Sequence, residues 1–566
     1  MKNIIAKSKY LLIAIITISI VSCHNRNPRS VSSLTGWSSA DKANAGFAPD
    51  KNYKGQLTPP GMVLIEGGAF TMGSVQDDVV FDWNTTPVKQ QVRSFYMDET
   101  EVTNYEYKFY LEWTEQVFPP SDPNYKHIYR SAVPDTLVWR DALGYNEILT
   151  KTYLRHPSYQ DYPVVGVSWI QATKYCKWRT QIANERILID KGVLKNIYES
   201  KEEDSITVAG KNHFNTDTYF ANPYLLFDGD STIYKKGLPN YKRTRGRAPR
   251  DEFSGRHVKM EDGLTIPGFR LPTESEWEFA AKANVENREY NNIRGRKKYA
   301  WNGKYTRNKS RRGVGDQLAN FKQGRGDYSG VPGWSSDGAD ITMQIKQYPP
   351  NAYGLYDMSG NVAEWVQDVY RPIIDTDAND FNYFRGNVFS KQMIDSEGKV
   401  VVADYNNMEY DTLDNGKIQA RYLPGTIKTT PITKRDAYMR TNYDESYKID
   451  ALDGDLASTK HYEEEEDELD AKPRMYNSPI APREIGEKGL MIQKYDKENR
   501  TSFISDQSRV YKGGSWQDRE YWLDPAQRRH LPEYMATSYI GFRCAVDRLG
   551  PMTPKRRKRF NSDVVR

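Results

Sequence analysis

The chain has 566 residues, with 80 Lys and Arg against 75 Asp and Glu and a formal net charge of +5. A balance this even leaves no electrostatic footprint for nucleic acid, which is excluded as a partner class. The mean hydropathy of -0.79 is strongly polar, yet aromatics make up 13% of the chain, which points to packed, polar-edged surfaces rather than disorder.

Lys2, Lys7 and Lys9 precede an apolar run from Tyr10 to Val21 and the stretch Ile20-Val21-Ser22-Cys23, the order of a bacterial export signal. About a dozen apolar residues fall short of the ~20 that span a bilayer as a helix, so residues 1–22 read as a signal peptide. Ile-Val-Ser-Cys resembles a lipobox, which makes Cys23 a lipidation site and the membrane a partner through acyl chains. Residues 23–60, rich in Ser, Asn, Gly and Pro, read as a flexible tether.

The folded body begins near Gly61 and extends to Asp547. Its opening MVLIEGGAFTMGS predicts two short strands broken at Gly67-Gly68. Thr103 with Glu106, Ser168 with Gln171, and Thr273 with Glu276 have the spacing of capping boxes, so three capped amphipathic helices are expected. Trp169, Ala172, Cys176 and Ala183 would share a face of the second, and Trp277, Ala280 and Ala281 a face of the third. The mostly polar stretches at about 185–267 and 370–507 read as insertions, the second carrying an acidic run from Glu463 to Glu468. Long irregular segments in a compact body are often binding surfaces, so partner contacts are expected there. Residues 548–566 form a basic tail with Lys555 to Arg559 at its centre, read as solvated or touching anionic envelope polymer.

Five blocks in fixed order resemble the sulfatase-modifying-factor, or formylglycine-generating-enzyme, family: GMVLIEGGAFTMGS with YMDETEVTNYEY, YPVVGVSWIQATKYCKW, GFRLPTESEWEFAAKA, NAYGLYDMSGNVAEWVQD, and RVYKGGSW followed by GFRCAVD. The resemblance implies an α+β body, the irregular formylglycine-generating-enzyme fold related to C-type lectins, here with two large insertions. Enzymes of the family oxidise a sulfatase cysteine to formylglycine with copper and oxygen. The lipobox, SLTGWSSADKANAGF, VQDDVVFDWNTTP and the two insertions resemble, within that family, a lipoprotein of the gliding motility and type IX secretion machinery.

In active members the glycine pair is followed by two cysteines whose thiolates hold copper(I), a soft ion matched to soft sulfur. The same register here places Asp518 and Leu523 at those positions, and no cysteine lies between Cys176 and Cys544. The expectation is a pseudoenzyme with no catalytic residues and no copper. An altered chemistry using Asp518 with Arg519 or His530 is the weaker enzymatic alternative.

The resemblance also implies a structural disulfide between Cys176 and Cys544, the alternative being two separate buried thiols. Structural calcium is implied at two sets of hard oxygen donors. One is Asp357, Gly360, Val362 and Glu364; the other is Asn320 and Phe321 with Asp337 and Ala339. The expected function is a non-catalytic scaffold on the periplasmic face of the outer membrane, because no acidic residue follows Cys23 in His24-Asn25-Arg26-Asn27. Its partners would be other gliding and type IX secretion components, including a related lipoprotein of the same fold. A carbohydrate- or peptidoglycan-binding module is the alternative, with Trp516, Tyr521 and Trp522 as candidate stacking residues.

Overall fold

The computed structural model describes residues 55–74, 84–85, 87–140, 145–196, 210, 213–238, 256–284, 297–311, 313–324, 338–370, 390–413, 415–431, 483–485, 491–493 and 507–550. The expected signal peptide, Cys23, nearly all of the tether, Asp337, the acidic run and the basic run lie outside the described residues. Among the described residues no helix is long and apolar enough to cross a membrane.

Two units are distinguished. The smaller contains residues 187–198 and 232–265, where Leu194 bridges Tyr234, Leu238 bridges Arg256, and Arg256 is ion-paired with Asp262. The larger, residues 56–186, 199–231 and 266–566, holds every candidate site residue that is described.

The larger unit opens with β1 (Met62–Ile65) and β2 (Gly68–Met72), as the period-two pattern predicts. Gly67 is required at the break because a Cβ there would lie 2.4 Å from the Val92 carbonyl oxygen. Next come β3 (Val88–Val92), which pairs with β2, and β4 (Phe95–Asp98), which pairs with β1. Helix α1 (Asn104–Val117) starts at the Thr103–Glu106 capping box, with both reciprocal bonds present. Two short helices follow, α2 (Lys126–Ala132) and α3 (Glu147–Thr152).

Helix α4 (Trp169–Asp190) is capped by Ser168 and Gln171, whose side chains each bond the other's amide. Its buried stripe is Ala172, Cys176, Thr180 and Asn184, whereas Trp169 and Ala183 are only half-buried. Thr180 and Asn184 are tolerated inside because the first bonds the Phe269 amide at 2.8 Å and the second the Ile266 amide at 2.8 Å. After α5 (Thr216–Ala221) and the short β5 (Phe269–Arg270), helix α6 (Glu274–Lys282) starts at the Thr273–Glu276 capping box.

Helix α6 is buried on all sides, contrary to the expected amphipathic pattern. Its charges are tolerated because they are paired. Glu278 meets Lys282 at 2.7 Å and Lys512 at 2.8 Å, and Glu274 meets Lys512 at 3.1 Å and Arg528 at 2.6 Å. Burial alone would raise the Glu278 carboxyl, but the two lysines hold it down at about 2.

Strand β6 (Ala363–Val369) leads into the second insertion. There β7 (Ser390–Gln392) pairs with β10 (Thr429–Pro431), β8 (Tyr410–Thr412) with β9 (Ile418–Ala420), and β11 (Arg483–Ile485) with β12 (Met491–Gln493). The chain finishes with β13 (Ser508–Lys512), β14 (Arg529–Pro532), β15 (Ile540–Gly541) and β16 (Ala545–Asp547). One sheet has the order β1-β4-β16-β5 and another β14-β13-β6-β15, so strands from both ends of the body interleave. Ile65, Phe70, Met97, Trp277, Val366, Val510 and Ala545 pack in one core, where full burial of a side chain such as Phe70 contributes ~1.5–3 kcal/mol.

Parts of both insertions are packed rather than peripheral. In the first, Phe214, Thr216, Thr218 and Tyr219 are buried, and Thr218 donates to the Gly425 carbonyl of the second at 2.9 Å. Ala420 joins a core cluster with Phe118, Tyr125 and Ile128. Tyr125 donates to the Tyr405 carbonyl at 2.8 Å. The polar composition of these segments concealed the few apolar side chains that dock them.

Candidate functional site

Strand β13 ends in a turn that only glycine can make. Gly513 has φ +101° and Gly514 φ +68°, and a Cβ on Gly514 would lie 2.7 Å from the Trp522 carbonyl oxygen. The turn delivers Trp516 and Gln517 to a cleft of about 390 Å³. Trp139, Arg140 and Asn146 line its other side, with Thr537, Ser538 and Tyr539 along its wall. Trp516 stacks on Trp139 with centroids 5.9 Å apart and donates to the Ser538 carbonyl at 3.1 Å. Gln517 bonds the Ser538 hydroxyl at 3.1 Å, and Arg140 is held by Glu147 at 2.6 Å.

Asp518 is engaged on both oxygens. Arg529 grips it in a fork, at 2.5 and 2.6 Å, and the Ser515 hydroxyl donates at 2.5 Å. The weaker enzymatic alternative invoked Arg519 or His530, but neither is the partner: Arg519 is exposed, and His530 stacks on Tyr370 with centroids 3.9 Å apart. Burial and the neighbouring Arg528 push His530 down to about 4. Leu523 is fully buried against Tyr299, Ala319 and Phe321.

The sulfatase-modifying factor enzyme 1-like domain matches residues 48–413, which is more than half of the chain. The chain belongs to the formylglycine-generating, sulfatase-modifying-factor family. It is 24% identical over 338 residues to the formylglycine-generating enzyme of Bos taurus, covering 57% of this chain and 61% of that protein. It is 32% identical over 160 residues to that of Streptomyces coelicolor, covering 26% and 45%. It is also 33% identical over 123 residues to the inactive C-alpha-formylglycine-generating enzyme 2 of Mus musculus, covering 20% and 32%. Each match spans less than two thirds of the relative's length. The described fold continues past the matched region, since β13 and β16 pair with β6 and β4 inside it.

The two positions to which the resemblance assigns thiolates are occupied by an ion-paired carboxylate, Asp518, and a core leucine, Leu523. Leu523 has no donor atom, and both oxygens of Asp518 are engaged by Arg529 and Ser515.

Of the first expected calcium set, Asp357 and Glu364 lie near one another and near Arg543. Glu364 is fully buried and forked to Arg543, at 2.7 and 2.6 Å, and also accepts from the Trp277 indole at 2.8 Å. Glu101, missed in the sequence, completes the cluster by accepting from Asn361 at 2.7 Å and from the Val362 amide at 3.2 Å. Asp357, held at φ +57°, accepts from the Lys346 amide at 3.4 Å. Burial first, then the Asp357 and Glu364 charges, raise the Glu101 carboxyl well above its ordinary value. Burial likewise raises Asp357 to about 7.

Glu101, Asp357 and Glu364 thus share the Arg543 guanidinium, and burial favours the neutral forms of the first two. Gly360 has φ +95°, and a Cβ there would lie 2.5 Å from the Asn320 carbonyl oxygen. Asn361 donates to that same carbonyl at 2.9 Å, so Asn320 of the second expected set lies against the first. Phe321 and Ala339 are buried, while Asp337 is outside the described residues. Among the described residues, no group of three or more His, Cys, Asp or Glu side chains is placed to hold a metal ion.

Cys176 and Cys544 are both buried, their sulfurs 3.3 Å apart as two thiols in contact. Burial, then the Cys176 thiol, raises Cys544 well above the usual thiol value. Of the candidate sugar-stacking rings, Trp522 carries the Arg529 guanidinium 4.6 Å from its centroid and Trp516 is almost fully buried.

Proposed function

We propose that this protein is a non-catalytic member of its family: a lipid-anchored scaffold on the periplasmic face of the outer membrane, serving the gliding motility and type IX secretion machinery. The observation that carries the non-catalytic part is the filling of both thiolate positions, by Asp518 locked to Arg529 and by Leu523 in the core. The named inactive mouse relative is a precedent for such a member. The machinery is argued from the lipobox at Cys23, the tether sequence and the two insertions, which resemble a gliding motility lipoprotein. Calcium would serve as a structural ion, neutralising the carboxylates around Arg543.

The insertions are the proposed partner surface, because their docked portions present apolar side chains outward: Ile394 is 61% and Met393 41% exposed. The carbohydrate-binding alternative is disfavoured by the covered faces of Trp516 and Trp522. Affinity capture of the tagged chain from solubilised envelope tests the scaffold. Capture of secretion and gliding components by the wild type, weakened by Ile394→Asp at unchanged thermal stability, supports it. Retention on peptidoglycan without protein partners would refute it.

A further inference from the structure

The hairpin of β8 and β9, from the second insertion, packs beside the start of α4. Lys174, on that helix, donates to the Gln419 side-chain oxygen at 2.9 Å. The Leu413 amide donates to the Lys417 carbonyl at 2.9 Å, which continues the ladder one residue beyond the two strands. The period of two then puts Lys417 on the same face as Gln419, toward α4. Between these elements lies a cavity of about 10 Å³, with Ser131, Ser168, Lys174, Lys417, Gln419 and Tyr534 among its walls.

The walls include two lysines and neither Asp nor Glu. Acidic groups close by are already committed: Asp411 is held by Arg421 at 2.9 Å, and Glu533 by Arg509 at 3.0 Å. Among the described residues the half-buried Lys417 ammonium has no hydrogen-bond or ion-pair partner, and the acceptor of Lys174 is a neutral amide. The Ser168 hydroxyl, almost fully buried, accepts from the Gln171 amide at 3.3 Å, which leaves its own proton to donate. Burial first, then the charge of the neighbouring Lys177, push the Lys174 ammonium down to about 8, against a smaller opposite pull from Asp411. That is the mark of a cation short of counter-charge.

We infer that this cavity is a binding site for a carboxylate, received by Lys174, Lys417 and the Ser168 hydroxyl. The space admits one oxygen-sized group, so a planar carboxylate can enter with one oxygen leading, whereas a tetrahedral oxyanion is too broad. Bonds from ammonium groups to a carboxylate are charge-assisted, and partial burial strengthens them. The positive end of the α4 dipole adds to the attraction. Because the hairpin belongs to the second insertion, the carboxylate has two sources: an acidic side chain of a protein partner, or a free small acid. The site does not depend on the scaffold reading, since its walls belong to this chain alone.

The test is labelling of the purified full-length protein, in detergent, with an amine-reactive ester, read lysine by lysine by mass spectrometry. The probes are a capped Gly-Glu-Gly-Glu-Gly peptide, its Gln counterpart, sodium acetate and sodium phosphate, compared at equal ionic strength. The Glu peptide or acetate should slow labelling of Lys174 and Lys417 roughly tenfold at about ten times its Kd, and leave the exposed Lys177 unchanged. Lys417→Gln should weaken that protection of Lys174 by roughly tenfold, at an unchanged melting temperature. Stronger protection by the peptide than by acetate supports the site and assigns its carboxylate to a protein partner; the reverse supports it and assigns a small acid. Absence of protection by both, equal protection by the Gln peptide, tighter binding of phosphate, or undiminished protection in Lys417→Gln would overturn the inference.

Discussion

Replacing Leu523 by alanine removes a side chain from a position to which the family resemblance assigns a copper-binding thiolate. The side chain is fully buried among Tyr299, Ala319 and Phe321. The substitution deletes about three methylene equivalents, a transfer loss of ~2.4 kcal/mol at ~0.8 kcal/mol each. The cavity left behind adds to this, and buried leucine-to-alanine changes reach ~2.7–5 kcal/mol when the surroundings cannot collapse. The Leu523 carbonyl is itself fixed, accepting from the Ser359 hydroxyl at 2.9 Å, so little collapse is expected. The predicted loss is ~3–4 kcal/mol, read as a lower urea midpoint at unchanged slope by tryptophan fluorescence. A loss below ~1 kcal/mol would mean that this position is not part of the core, and the structural account of the substituted pocket would fail.

Three further outcomes are expected. The Cys176–Cys544 pair should be found bridged when envelope protein is denatured without reductant and alkylated; both cysteines modified would reject the bridge, which would close a very long loop and contribute ~5 kcal/mol in the loop-entropy picture. Calcium should raise the melting temperature of chelator-treated protein, by the equivalent of ~2.7 kcal/mol at a hundredfold excess over Kd, and Asp357→Asn should abolish the shift; no response of the wild type to millimolar calcium would dismiss the ion. Glu185, whose carboxyl burial pushes up from 4.5 to about 7, should contribute a part of the stability that rises as pH falls from 8 towards 5, seen as the difference between wild type and Glu185→Gln. The folded state then holds the proton more tightly than the unfolded state between those values, so the slope of stability against pH is negative there. Glu185→Gln should flatten that slope and stabilise the protein at pH 8 by up to ~3 kcal/mol, and an unchanged slope in urea titrations would contradict the assignment.

Local rules carried most of what the sequence disclosed. All three capping boxes are present because each is decided within four residues by the reciprocal bonds of a Thr or Ser and a Glu or Gln. Strands β1 and β2 followed from their period and the glycine pair between them. What the pattern missed was decided by partners distant in the chain. Helix α6 is buried all round because Lys512, on β13, and Arg528, just before β14, arrive from more than two hundred residues later to neutralise Glu274 and Glu278. Arg543 takes up Glu364 across a separation of 179 residues, and no spacing rule reports such a pair. The polar insertions likewise concealed Phe214, Tyr219 and Ala420, whose burial against the body becomes evident only once α1 and α2 are in place. At the pocket itself, the absence of donor cysteines was readable from the chain, but the fork between Asp518 and Arg529 was not.

The central claim is that the family's oxidative chemistry has no place in this chain, and copper(I) titration of the purified protein followed by incubation with a sulfatase-type cysteine peptide and oxygen tests it most directly. The account predicts no stoichiometric copper(I) binding and an unchanged peptide mass. One tightly bound copper ion per chain together with formylglycine in the peptide would contradict it.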